Sequence, residues 1–525
     1  MLDLSLAWKR VKSDIAHRVF IGHPYSVQLI EFDLEGWLNA RLQVIKNNAY
    51  SPSPIFICDV PKGNGLIRPG GHLSYADRLI YAACVGACFS NIQSILKWSQ
   101  GNVDFSYQLA FDAANPDWIR NRFAGWKNFD EQSVAKIEAG ASFVVVADIS
   151  AFYENIDIGL LVSDIRATGA PVEAVDLLSV CLNKWAQVSG RGVPQGQTPS
   201  DILAKLYLNS VDENLRHMGY DHLRYVDDIR VFCDSEARAK RLLVDLSHLL
   251  RRRGLNLQSA KSKILTAEEA RTEIEEVTVV LRSVRQQFIE EVIQHSGQGD
   301  PYIDVSEADE ILEESADETP IEVIQKTYQE YFIDGDHSFN KTLFRFLLKR
   351  LSKQGDSFAG LHSLGLLVAH PEETHTILQY LESIYEIDSL QVPIAQTLRA
   401  GEIVYEYQVY QIVAWFLEYS KQATAELMDF IRPTAFSADK QRYVRTVCRA
   451  FLGKFGTTAD LERLADLYDL TTDPSERVEI ICSLRRFERG RRNAFFGRVE
   501  KDGEMNRRAV RWLKAQPLIA ISMNK

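Results

Sequence analysis

Apolar and polar positions follow different periods in the two halves of the chain. In ASFVVVADIS (141–150) an apolar run rich in β-branched valine leads up to Asp148, which predicts a buried strand. DHLRYVDDIRVFCD (221–234) predicts two short strands, 223–226 and 229–233, joined at Asp227-Asp228, a hairpin without the usual Asn-Gly turn. EARAKRLLVDLSHLLRRRG (236–254) carries the stripe of an amphipathic helix and ends on Gly254, a residue suited to a helix C-terminus. EEVTVVLRSV (275–284) predicts one more strand. This mixture predicts an α+β first half. Beyond residue 320 the helical period takes over, in 340–355, 375–387, 407–422, 441–456, 460–470, 475–490 and 506–516. Three of these stretches, 443–452, 477–487 and 507–515, resemble one another at a spacing of roughly 30–34 residues, which predicts HEAT-like helical repeats, with an irregular bundle as the alternative.

Composition changes this picture in three ways. A chain of 525 residues with 46% hydrophobic and 25% charged residues has room for about three domains and is not intrinsically disordered. No stretch approaches the ~18 consecutive apolar residues of a membrane span. The start, MLDLSLAWKRVKSD, lacks the pattern of an export signal, so the expectation is a cytoplasmic protein with no membrane partner. The seven cysteines have no zinc-type spacing, and the close pair, Cys84 and Cys88, sits in the apolar run LIYAACVGACF, which predicts buried helix packing. The net charge of −11 argues against coating a long nucleic acid. It comes almost wholly from residues 281–330, with thirteen acidic and three basic side chains. The acidic stretch 295–320, with its Gly, Pro and Ser, predicts a linker within 286–320.

The chemistry lies in the first half. ADISAFYENID (147–157), GVPQGQTPSDILAKLYL (192–208), RYVDDIRVF (224–232) and GLNLQSAKSKI (254–264) follow one another. Asp227 and Asp228 alone read as a turn. With Asp148 at the end of another strand they become carboxylates that can meet across a sheet, and adjacent strand residues point apart, so one of the pair is the stronger ligand. Three such charges repel unless divalent cations neutralise them. Two ions held in this way suit nucleotidyl transfer.

These segments resemble the palm motifs of reverse transcriptases. Asp148-Ile-Ser-Ala-Phe-Tyr153 resembles motif A, Gly192-Val-Pro-Gln-Gly196 motif B, Tyr225-Val-Asp-Asp228 the motif C box, and Gly254-Leu-Asn-Leu with Lys261-Ser262 motif D. Upstream, VPKGNGLIRPGGHLSYADRLIY (60–81) resembles the fingers element. The resemblance covers roughly 55–285 and implies fingers within 1–140, a palm over 141–285 and a helical-repeat domain over 321–525. It implies Asp148, Asp227 and Asp228 as catalytic carboxylates. It implies metal binding at Asp148, Ile149, Asp227 and Asp228, with two Mg2+ or Mn2+ ions. Tyr153 falls at the steric gate that favours deoxynucleotides. Gln195 and Gly196 fall against the incoming sugar, Lys261 near the triphosphate, and Lys62 and Arg68 on a hairpin suited to clamping it.

Retron, intron-endonuclease and ribonuclease H signatures are absent from the sequence. A palm followed by a helical C-terminal region is most similar to the abortive-infection (Abi) polymerases of the prophage-borne antiphage type. That likeness implies template-independent, protein-primed synthesis from dNTPs, a single-stranded DNA product attached to the polypeptide, a homo-oligomer and a role in phage defence. Tyr25, Tyr50, Tyr302 and Tyr328 are equal candidates for the priming hydroxyl. The rivals are a template-copying reverse transcriptase with a bound noncoding RNA, and a non-catalytic palm-plus-repeat scaffold. Residues 485–514 hold eleven Lys+Arg against four Asp+Glu. Arg485, Arg486, Arg489, Arg491 and Arg492 lie near Phe495 and Phe496, so the patch reads as a single-strand binding surface, as a solvated face over core phenylalanines, or as a contact for the acidic 295–320 segment.

Overall fold

A computed structural model describes residues 2–17, 25–120, 124–275, 321–335 and 339–515. The acidic linker 286–320, Tyr302 and all but the first residue of the strand expected at 275–284 lie outside these. Glu275 itself ends a helical stretch, 267–275. The chain divides into two compact units. One comprises Met1–Phe20, Glu35–Ile57 and Pro69–Glu276; the other comprises Ile21–Leu34, Cys58–Arg68 and Val277–Lys525.

In chain order the elements begin with α1 (Leu4–His17), α2 (Ser26–Glu31) and α3 (Leu34–Lys46), then the hairpin β1 (Phe56–Lys62) and β2 (Leu66–His72), and α4 (Tyr75–Leu96). α5 (Ala124–Glu138) leads into β3 (Phe143–Asp148), followed by α6 (Phe152–Asn155), α7 (Ile158–Ala167), α8 (Val172–Trp185) and α9 (Thr198–His217). The strands β4 (Asp221–Tyr225) and β5 (Asp228–Cys233), the helix α10 (Glu236–Arg252) and β6 (Lys263–Thr266) complete this part.

The first unit is built on a four-stranded antiparallel sheet in the order β4-β5-β3-β6. The apolar run of β3 reflects two covered faces. Val145 and Ala147 face the same side as Ile229 and Val231, all fully buried, and α9 and α10 pack there. Val144, Leu223 and Phe232 join Phe105 and Phe129 of α5 on the other side. α10 buries Ala239, Leu242, Leu246, Leu249 and Leu250. It stops as the sequence predicts, with Gly254 at φ +71°. The Asp227-Asp228 hairpin turns one position earlier than the sequence suggested. β4 ends at Tyr225 and β5 begins at Asp228, so Val226 and Asp227 make the turn.

α4 is long and apolar enough to cross a membrane, but most of it is buried in this unit. Its N-terminus is capped by Ser74, whose Oγ accepts the Asp77 amide at 3.1 Å, and Cys84 and Cys88 are buried within it. All seven cysteines are free and buried.

From Ile321 onward the described residues of the second unit are built from helices, and the hairpin segment Cys58–Arg68 belongs to the unit as well. Helices Lys341–Gln354, Thr374–Ile384, Glu406–Tyr419, Arg442–Phe455, Pro474–Ser483 and Glu504–Ala515 each pack on the next in that series. Of the intervening helices, Gln391–Ala400 packs on Ala425–Phe436. One apolar core runs through the unit and takes in Tyr25, Leu29 and Cys58. Ion pairs recur about one helical pair apart: Arg345 with Glu373 at 2.7 Å, Arg432 with Asp460 at 3.1 Å and Arg449 with Glu476 at 2.5 Å. The phenylalanines of the basic patch belong to this core, Phe495 at 6% and Phe496 at 2% exposure. They offer no stacking surface. The arginines around them bond locally, Arg486 to the Lys454 carbonyl, Arg491 to Glu462 and Arg492 to the Arg485 carbonyl. The solvated-face reading of 485–514 is therefore the one the packing supports.

Candidate active site

Strand register assembles the site. Pairing of β3 with β5 sets Asp148 opposite Asp228, and pairing of β4 with β5 sets Tyr225 opposite Asp228. Directly opposed residues share a face of the sheet, so Asp148 and Asp228 carry their carboxyls on one side at the sheet's end, with Asp227 at the adjoining turn. Burial raises the Asp228 carboxyl, and the Asp227 and Asp148 charges add to it, bringing it to about 6. Asp148 is only 7% exposed. Lys261 reaches it, Nζ to Oδ2 at 2.5 Å. That hydrogen bond, with the charges of all three carboxylates, raises the Lys261 ammonium despite its partial burial.

The segment expected to bear Lys261 is stitched to β3. The Gln258 amide donates to the Asp148 carbonyl at 2.7 Å, and the Ser150 amide to the Asn256 carbonyl at 2.9 Å. The Asp148 amide lies 3.4 Å from Ser262 Oγ. Ile149, 1% exposed, bridges to Leu257. Lys261 thus lies on a carboxylate, where the sequence suggested a place near a triphosphate.

The loop 192–197 is fixed from two sides. The Gly192 amide donates to the Ile156 carbonyl and the Val193 amide to the Tyr153 carbonyl, at 2.9 and 3.0 Å. Gly192 has φ +92°, and a Cβ there would stand 3.2 Å from the Glu154 carbonyl oxygen, so glycine is required. On the other side, the Gly71 amide donates to the Gln195 carbonyl at 2.9 Å and Gln197 Nε2 donates to the Gly71 carbonyl at 3.0 Å. Gly196, at φ +91°, has open space where a Cβ would be. Gln195 and Gly196 are half-buried.

Tyr153 is 8% exposed, and its hydroxyl donates to Asp201 Oδ1 at 2.7 Å. Burial, then the Asp201 charge, pushes this phenol well above its usual range. Asp201 was not identified from the sequence. Neither was a buried cluster beside it in the fold: Asp104, Lys205, Asp212, His222 and Arg224, each at 3% exposure or less. A signal existed. On α9, Asp201, Lys205 and Asp212 share the helical stripe of Leu208 and Leu215, and charges on an apolar stripe imply buried pairs.

Lys62 and Arg68 are exposed, and they fall in the hairpin segment Cys58–Arg68 that groups with the helical unit. There the Tyr405 hydroxyl donates to the Gly65 carbonyl at 3.0 Å. Three of the candidate priming phenols are engaged or buried. Tyr50 donates to Asp77 at 2.5 Å, Tyr25 is 7% exposed, and Tyr328 is fully buried against His362.

The donor set suits hard divalent cations: carboxylate oxygens from two neighbouring strands, one of them pushed up to about 6 by burial and then by the neighbouring carboxylates. Among the described residues, no three acidic, histidine or cysteine side chains yet close around a single ion position. The ammonium of Lys261 supplies one compensating charge at Asp148.

A match to one family of known proteins agrees with this geometry. Residues 60–295 match the family described as reverse transcriptase (RNA-dependent DNA polymerase). No curated protein matches the chain. Among solved structures, telomerase from Candida tropicalis in complex with a TWJ fragment of telomeric RNA is similar at 12% identity, over 78% of this chain and 67% of that one, with a TM-score of 0.32. Apo telomerase from the same organism is similar at 12% identity, over 73% and 72%, with a TM-score of 0.31. Telomerase from Candida albicans with a TWJ fragment gives 10% identity over 92% and 68%, with a TM-score of 0.31.

Proposed function

We propose that this chain, whose residues 60–295 are a reverse transcriptase domain of the RNA-directed DNA polymerase type of nucleotidyltransferase, joins deoxynucleotides at Asp148, Asp227 and Asp228. The observation that carries the reading is the register of β3 on β5, which opposes Asp148 to Asp228 beside the Asp227 turn. Asp148 and Asp227 would hold the divalent ions, with Asp228 and the Ile149 carbonyl assisting. Bound Mg2+ or Mn2+ would supply the charge that makes a hydroxyl nucleophilic and stabilises departing pyrophosphate.

The protein's own groups do the rest. Lys261 neutralises Asp148 until substrate arrives. The Tyr153 ring, held by Asp201, excludes a 2′-hydroxyl. Gln195 and Gly196 present backbone and amide to the sugar.

The finer reading is an Abi-type polymerase: a cytoplasmic homo-oligomer that acts in phage defence, builds single-stranded DNA without a template, and starts from a hydroxyl of its own. The acidic net charge supports it, since a long primer–template duplex favours a basic surface. The row of helices in the second unit supports a HEAT-like class for that region. The burial of Tyr25 and Tyr328 and the hydrogen bond of Tyr50 to Asp77 direct the search for the priming hydroxyl elsewhere. The family's description favours the second reading, copying of an RNA template. Nuclease-treated protein given dNTPs and Mg2+ without template separates them. Labelled DNA that stays on the polypeptide through a denaturing gel supports the first reading. Product that appears only after RNA is added supports the second.

A further inference from the structure

The carboxylate hairpin turns through a strained residue. Val226 has φ +58°, a region β-branched side chains avoid. Such a conformation persists only where its surroundings hold it. One side chain does so here: Arg224 Nη1 donates to the Val226 carbonyl at 3.0 Å.

Arg224 is itself fixed from every side. It is 1% exposed. Its Nη2 donates to Asp104 at 2.7 Å and to Asp212 at 2.6 Å, and its Nε donates to Asp212 at 3.0 Å. Lys205 Nζ donates to Asp104 at 2.7 Å, and His222 lies 3.4 Å from Asp212. The two carboxylates are shared between the Arg224 guanidinium and the Lys205 amine. The backbone adds two more ties, with the Arg224 amide on the Val103 carbonyl at 2.7 Å and the Phe105 amide on the Arg224 carbonyl at 2.9 Å. Each carboxylate is therefore committed to the guanidinium, and the one remaining arm of the fork points at the turn.

We propose that Arg224 is a positioning residue: its buried guanidinium pins the strained Val226 peptide and thereby fixes where Asp227 and Asp228 present their carboxyls. Its kinetic consequence rests on the polymerase reading; its effect on the turn does not. A lysine at 224 keeps a charge for the two carboxylates but cannot also reach the Val226 carbonyl, because it lacks the planar fork. A glycine at 226 takes φ +58° without steric cost.

The test is amide hydrogen exchange across 222–230, with melting temperature and dNTP incorporation, in wild type, Arg224→Lys, and Arg224→Lys with Val226→Gly. The expected result for Arg224→Lys is exchange at the turn about tenfold faster while the centres of β3 and β5 stay protected, and kcat about tenfold to hundredfold lower with the dNTP KM within about threefold. Adding Val226→Gly should recover at least about fivefold of both. Unchanged turn exchange, a uniform loss of protection through the sheet, or no recovery with glycine overturns the proposal. If Arg224→Lys does not fold, a crystal structure of the wild-type protein decides: positive φ at 226 with Nη1 on its carbonyl supports the pin, and negative φ or a missing contact overturns it. Incorporation that survives Asp227→Ala while the turn effect persists would sink the polymerase reading and leave the pin standing.

Discussion

Replacing Tyr153 with phenylalanine removes a hydroxyl and leaves a ring. In the structure that hydroxyl is the donor to Asp201 Oδ1 at 2.7 Å, with the tyrosine 8% and the aspartate 2% exposed. A buried carboxylate that loses a charge-assisted donor costs about 1.5–3 kcal/mol. At about 2–4 °C per kcal/mol for a unit of this size, the melting temperature should fall by about 3–12 °C. If, as proposed, the ring excludes a 2′-hydroxyl by its bulk, Tyr153→Phe should keep preference for dNTPs over rNTPs within about threefold. Tyr153→Ala removes the wall, and the preference should fall by at least about a hundredfold. The assay is thermal melting beside the ratio of kcat/KM for a matched dNTP and rNTP. If Tyr153→Phe melts like wild type, the buried hydrogen bond is not there. If it loses selectivity as fully as Tyr153→Ala, the hydroxyl is the discriminator and the steric argument fails.

Three further outcomes follow from the same geometry. Lys261→Met releases Asp148 from its ammonium partner, so the upward shift in melting temperature on adding 5 mM-scale Mg2+ should grow about twofold, read by differential scanning fluorimetry; an unchanged shift refutes the role given to Lys261. Burial works to raise the Asp212 carboxyl, but Arg224 and His222 outweigh it and hold it at about 2 against an ordinary 3.8. A depressed carboxyl stabilises above its unfolded value and ceases to as pH falls through its folded one, so about 2 kcal/mol should disappear between pH 4 and pH 2, and urea titrations of Asp212→Asn should lack that component. Gly192→Ala forces a side chain into φ +92° with its Cβ 3.2 Å from the Glu154 carbonyl. It should cost about 1–3 kcal/mol and weaken dNTP binding; a neutral effect on both would mean the loop is free to shift.

Much of this was legible before any coordinates. Asp148 ends an apolar run rich in β-branched valine, and such a run reads as a strand whatever packs against it. Asp227 and Asp228 stand between two short strands, so their meeting with Asp148 needed only an antiparallel pairing. The helices beyond 340 were visible because each carries its own apolar stripe, and all seven segments named there contain helices, though in 475–490 one helix ends at Ser483 and the next begins only at Arg489. Whether their row makes a HEAT-like class is a matter of proposal. What could not be read was any feature that depends on a partner distant in the chain. Asp201 looks like a helix-start acid until the Tyr153 hydroxyl is found against it. Arg224 looks like a strand's solvent-facing residue until Asp104, from 120 positions earlier, and Asp212 enclose it. Phe495 and Phe496 beside arginines suggested stacking, because a sequence does not say which side of a helix is covered. The turn at Val226 was hidden for a similar reason: valine does not advertise a positive φ.

The central claim is that three acidic side chains, brought together by strand register, join nucleotides. The direct measurement is incorporation of labelled dNTP by purified protein with Mg2+, in the wild type and in Asp148→Ala and Asp227→Ala variants whose melting curves show them folded. The account predicts robust labelling by the wild type and a loss of at least about a thousandfold in each variant. Labelling that persists in either folded variant would contradict it.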